Sequence, residues 1–129
     1  MFAAPTLAEI EAANVRLSGR IVDTPTLTLN SDRIRHHWPR ETTVHMKMEL
    51  FQQAGSFKAR GALLAVDALD GDQRESGVTT VSAGNHALAV SWAARNSGVS
   101  AKVVMPALTI SAQLSIALQY TSSGWSSLS

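Results

Sequence analysis

The 129-residue chain has no cysteine, which excludes disulfide scaffolds, thiolate nucleophiles and Cys-ligated zinc or iron–sulfur sites. Aromatic residues are scarce, at 5%, and no uninterrupted apolar run reaches the ~18 residues of a membrane span. An excess of one charge is lacking too. Eleven basic residues against ten acidic ones give a formal charge of +1, without the concentrated positive surface that nucleic-acid binding requires. The stretch from Met1 to Glu11 carries Glu9 and Glu11 and no basic n-region, so it does not read as a secretory signal. What is present is a 45% hydrophobic composition, enough for one globular domain with a buried core. The expectation is a cytoplasmic protein that works without nucleic acid or membrane.

Charge is also missing locally. From Ala107 to Ser129 there is no Asp, Glu, Lys or Arg, where the chain's own 16% charged content calls for roughly four and typical globular usage for more. Residues 1–106 read as the organised part. Residues 107–129 read as an atypical charge-free tail: either an uncharged helix running into loose serine-rich sequence, or a chain truncated or off-frame after Pro106.

Within the organised part, Thr6-Leu7-Ala8-Glu9 fits a capping box. Leu7, Ile10, Ala13 and Leu17 then mark one helical face, with Gly19 as the stop. Thr24-Pro25 opens an extended connection. Thr43 to Leu50 alternates, Val44, Met46 and Met48 against His45, Lys47 and Glu49, which predicts a half-buried strand. Ala54-Gly55-Ser56 reads as a turn with Ser56 as N-cap, a helix follows from Phe57 to about Leu69, and Asp70-Gly71-Asp72 breaks it. Val78 to Ser82 is a second strand, Ala83-Gly84-Asn85 a tight turn, His86 to Ser97 a helix, and Ala101 to Met105 a third strand. Helices alternating with short β-branched strands predict an α/β fold, a mostly parallel sheet covered by helices in three αβα layers.

Two places carry chemistry. Lys58 stands in the first turn of its helix, where the positive end of the dipole disfavours an ammonium and favours the neutral amine that imine chemistry needs. A solvated surface lysine fits the same position. The strand-end turn Ser82-Ala83-Gly84-Asn85-His86 offers converging backbone amides, a hydroxyl and a side-chain amide, a natural seat for a carboxylate or phosphate. An ordinary strand-to-helix turn reads alike. His36, His37 and His45 have no carboxylate partner at ligand spacing, so no metal site is expected.

Together, Lys47-Met48-Glu49-Leu50-Phe51-Gln52-Gln53-Ala54-Gly55-Ser56-Phe57-Lys58-Ala59-Arg60-Gly61-Ala62 and Ser82-Ala83-Gly84-Asn85-His86-Ala87 resemble the threonine dehydratase and serine racemase family. These are pyridoxal-phosphate enzymes of the tryptophan-synthase-β fold type, fold type II. The resemblance implies that Lys58 forms the imine with the pyridoxal 5'-phosphate aldehyde. It implies that Phe57 packs near the cofactor ring, that Asn85 bonds the ring's phenolate oxygen, and that Ser82 with the amides of Ala83, Gly84 and His86 holds the substrate carboxylate. It further implies a homo-oligomer that deaminates a β-hydroxy amino acid, L-threonine or L-serine, to a 2-oxo acid and ammonia, as at the entry to isoleucine synthesis. Serine racemases place a second serine where this chain has Ala83, which points to dehydration over racemisation. The family's glycine-rich phosphate loop has no counterpart here, since Gly124 is the only glycine after Gly98. The resemblance therefore covers the N-terminal part of such an enzyme, the start of the large domain and most of the small one, so the fold is incomplete.

Overall fold

The computed structural model describes residues 3–105, so the charge-free tail lies outside the described residues. Helix α1 runs from Leu7 to Leu17 behind the expected capping box: the Glu9 amide donates to Thr6 Oγ1 at 3.3 Å, and the Thr6 amide donates back to the Glu9 carboxylate at 2.7 Å. Of its apolar face only Leu17 is buried, whereas Leu7 and Ile10 are exposed. Next come the strand β1 (Thr26–Thr28), a short helix α2 (Asp32–Arg35) and β2 (His45–Lys47), the two strands pairing antiparallel with Leu27 opposite Met46. Two 3-10 turns, Glu49–Phe51 and Gln53–Gly55, lead into α3 (Lys58–Asp67). After α4 (Gly71–Ser76), the strand β3 (Val78–Val81), the helix α5 (Asn85–Asn96) and β4 (Ala101–Val104) form a parallel strand–helix–strand unit.

The core lies between α3 and α5. Helix α3 supplies Ala59, Ala62, Leu63 and Val66, and α5 supplies Val90, Trp92, Ala93 and Ala94, with Leu17 and Val99 closing the cluster. Alanines at the contact let the helix backbones approach closely, so the fully buried Leu63 fills the space between them. Its truncation to Ala costs about 2–5 kcal/mol by cavity formation. At the far end of α3, the Arg20 guanidinium pairs with the Asp67 carboxylate, and both bond Ser97 Oγ, joining the end of α1, α3 and α5. Hydrogen bonding to Arg20 holds the Asp67 carboxyl below its ordinary range.

Strands β3 and β4 alternate, with Thr80 and Val103 buried and Val81 exposed. One side of the pair packs on α5. The strands start from a tight approach. Gly77 has φ +79°, and a Cβ there would stand 2.7 Å from the Ser100 carbonyl oxygen, so only glycine fits.

The expected α/β fold is present, and its mostly parallel sheet corresponds to β3–β4; the first two strands form a separate antiparallel pair. Three local expectations need correction. The half-buried strand over 43–50 shrinks to three exposed residues, because β1 is its only partner among the described residues and Glu49 is drawn into a turn. Asp70 does not merely end a helix: its side chain accepts from the Gln73 amide at 2.9 Å and starts α4 with a second capping box. Ser56 is not an N-cap. It is extended (φ −162°), its Oγ is buried without a partner, and Phe57 precedes the first helical residue instead.

Candidate active site

Lys58 is the first residue of α3. The chain reaches it through two consecutive left-handed residues, Ala54 (φ 56°) and Gly55 (φ 69°). The helix has no side-chain cap, and backbone alone closes its first turn: the Ala59 amide donates to the Ser56 carbonyl at 3.3 Å and the Arg60 amide to the Phe57 carbonyl at 3.2 Å. Lys58 is exposed at the edge of an open cleft of about 430 Å³ between α3, β3 and the start of α5, and its amine has no hydrogen-bond or ionic partner among the described residues. Phe57, 63% exposed, lines the same cleft, as do Gly61, Thr80 and His86.

The strand-end turn begins α5. Gly84 is its N-cap residue, without a side-chain cap, which leaves first-turn amides pointing outward. Ser82 Oγ accepts from the Gly84 amide at 3.2 Å, so the hydroxyl is turned onto its own loop. Asn85 and His86 are both exposed. Successive helical residues diverge by about 100°, and these two part accordingly. His86 faces the Lys58 cleft, while Asn85 lines a second cleft of about 420 Å³ with Phe51, Gln53, Ala54, Gly55 and Leu88. The structure thus brings Lys58, Phe57 and His86 to one cleft and sets Asn85 in the other. Ser82, Ala83 and Gly84 belong to the turn itself and line neither of these two clefts.

Behind the lysine lies a network that the sequence reading missed. Arg60 Nε donates to Glu49 Oε2 at 2.9 Å and Arg60 Nη2 to Glu49 Oε1 at 2.7 Å, a two-pronged pair. Glu49 Oε1 also accepts from Thr24 Oγ1 at 2.6 Å, and the Thr24 carbonyl accepts from Lys47 Nζ at 2.7 Å. The Arg60 hydrogen bonds are the main reason the Glu49 carboxyl drops from 4.5 to about 2; burial opposes them and Thr24 adds to them. Next to it, the buried Gln52 side chain accepts from the Val22 amide at 2.9 Å and donates to the Val22 carbonyl at 2.8 Å. The available signal was the cluster of polar residues Lys47, Glu49, Gln52 and Arg60 inside one short motif.

His36 and His37 lie just past α2 with ring centroids 4.0 Å apart. No group of three or more His, Asp or Glu that could hold a metal occurs among the described residues. No helix among them is long and apolar enough to cross a membrane.

Comparison with known proteins gives these features a setting. The family model of pyridoxal-phosphate dependent enzymes matches residues 17–123. A phenylserine dehydratase of Ralstonia pickettii is 42% identical over 116 residues, which is 90% of this chain and 34% of that protein. The solved structure of maize serine racemase is similar at a TM-score of 0.78 and 34% identity, covering 92% of this chain and 35% of its own. The solved serine racemase of Dictyostelium discoideum also has a TM-score of 0.78, at 36% identity, covering 92% and 37%. The chain spans about a third of the length of these relatives. A match over most of the sequence, together with a backbone shared with solved relatives, makes the chain a member of the pyridoxal-phosphate dependent enzymes, built on the α/β architecture of fold type II.

Proposed function

We propose that the chain is the N-terminal part, within residues 1–106, of a lyase that deaminates a β-hydroxy amino acid, L-threonine foremost and L-serine next, to a 2-oxo acid and ammonia in the cytoplasm. The observation that carries this reading is the exposed Lys58 amine at the mouth of a cleft, without a partner among the described residues, in a chain of a pyridoxal-phosphate dependent family. The residues present suit the aldehyde end of that group. Lys58 is the nucleophile for the aldehyde carbon, Phe57 offers a ring face beside it, and the uncapped start of α5 offers amides to an anion. Asn85 serves the phenolate oxygen in this reading, and Ser82, Ala83, Gly84 and His86 the substrate carboxylate. When bound, pyridoxal phosphate supplies an electron sink that acidifies the substrate's α-hydrogen. Lys58, as a free amine, takes that proton as general base. The substrate's β-hydroxyl departs as water, and hydrolysis releases the 2-oxo acid and ammonia.

The assay is 2-oxo acid formation from L-threonine, L-serine and phenylserine. It is run on the 129-residue chain and on the chain extended by the C-terminal two-thirds of a relative. Turnover in the extended chain that disappears in Lys58→Ala supports the reading, and absence of turnover in both rejects it.

A second reading, a serine racemase, draws on the likeness to the maize enzyme. Ala83 weighs against it, because a methyl group has no proton to give to the opposite face of the substrate. Ala83→Ser in the extended chain is expected to add D-serine formation, read by chiral chromatography.

A further inference from the structure

We propose that the Glu49–Arg60 pair is the positioning device of the Lys58 amine, setting the direction in which the first turn of α3 presents it; this rests on Lys58 being the attachment residue. Three observations converge on it. The start of α3 has no side-chain device of its own, because Phe57 is already helical, only backbone carbonyls close the first turn, and Ser56 Oγ is buried without a partner. Arg60 lies two residues after Lys58, about 200° around the helix, so it grips the scaffold on the side away from the cleft while the amine faces the cleft. Its anchor is itself fixed. Glu49 is held by Thr24, which is 3% exposed, and Thr24 in turn by Lys47, so Thr24, Lys47, Glu49 and Arg60 form one polar knot. A fork of two N–H donors on a carboxylate fixes rotation as well as distance, and the turn it fixes starts with the lysine. Arg60 and Glu49 touch no reacting atom, so their role is to hold, not to react.

The test uses the 129-residue chain and pyridoxal 5'-phosphate as the probe, trapped on lysine by borohydride and located by peptide mass spectrometry. The chain has three lysines, and Lys102 on the exposed side of β4 is the internal reference. The readout is the ratio of label on Lys58 to label on Lys102. Glu49→Gln, with far-UV circular dichroism unchanged, is expected to lower that ratio by about fivefold or more, and Arg60→Lys to retain part of it. Asp67→Asn breaks the comparable pair at the other end of α3. It is expected to lower the melting temperature as much as Glu49→Gln while leaving the ratio within about twofold.

A purely stabilising role predicts that Asp67→Asn and Glu49→Gln shift the ratio alike, and that result overturns the proposal. So does an unchanged ratio in Glu49→Gln. If the unaltered chain shows no preference for Lys58 over Lys102, the attachment reading itself fails and the positioning role falls with it.

Discussion

Helices α1 and α4 begin with complete capping boxes, Thr6 with Glu9 and Asp70 with Gln73. Helices α3 and α5, which carry the candidate site residues, begin with no side-chain cap at all. The four starts are made of similar material, since a serine stands shortly before each uncapped helix. Neither serine caps its helix: Ser56 Oγ has no partner and Ser82 Oγ bonds the N-cap amide of Gly84. The difference teaches where the molecule closes its own polar groups and where it leaves them for something else. Side chains of their own close the starts of α1 and α4, whereas the short α2 closes on the Ser31 carbonyl by backbone alone. The two that face the clefts lack such a side chain: α5 leaves first-turn amides open, and α3 closes its turn on the Ser56 and Phe57 carbonyls and is held from its flank by Glu49 and Arg60.

The largest break in this contrast is Lys58→Ala. It keeps the helix, since alanine is the best helix former. It is expected to lower 2-oxo acid formation in the extended chain by about a thousandfold or more, read by steady-state assay. Acid comes next. Glu49 titrates at about 2 in the fold against an ordinary 4.5, so its contribution to stability is whole above pH 4.5 and is lost as the pH falls from there toward 2. By linkage this amounts to about 3 kcal/mol. Thermal melts between pH 2 and 6 should therefore rise with pH and flatten in Glu49→Gln. The lowered Asp67 adds a slope of the same sign that survives the substitution. Removing a cap where one exists is a smaller change: Asp70→Ala should cost about 1 kcal/mol in urea unfolding and leave Lys58 labelling untouched. Smallest is adding a cap where none exists. A Cβ at Gly84 meets nothing within 4 Å, so Gly84→Ser should gain a few tenths of a kcal/mol. Its hydroxyl would compete for the α5 amides, and weakened protection by inorganic phosphate in thermal melts would sharpen the contrast.

The sequence was legible where the cause of structure is local. The box at Thr6 and Glu9, the glycine turn into α5 and the strand from Val78 all follow from neighbours three or four residues apart. The second box was equally local, Asp70 with Gln73, but Gly71 between them reads first as a breaker. Thr43 to Leu50 has the period of a strand, yet period does not supply a partner. Only Thr26–Thr28 pairs with it, and neither face is covered among the described residues. For the site, the place of Lys58 at a helix start could be read from the residues. The bond from Thr24 to Glu49 spans 25 positions, and no pattern of spacing announces it. The separation of Asn85 from His86 into different clefts is likewise tertiary, since both belong to the same five-residue turn in sequence.

Gly77 sits at the opposite end of β3 from the strand-end turn, yet it governs what that turn can do. The Ser100 oxygen occupies the space that a Cβ there would need, which sets how closely the two parallel strands begin. Strands are stiff over four residues, so an offset at their base reappears at Val81 and Val104, where the loop to α5 takes off. A methyl group introduced at that glycine would tilt the rails beneath the amide nest without touching it. The ligand seat proposed at one edge of the sheet is thus answerable to the absence of a single carbon at the other.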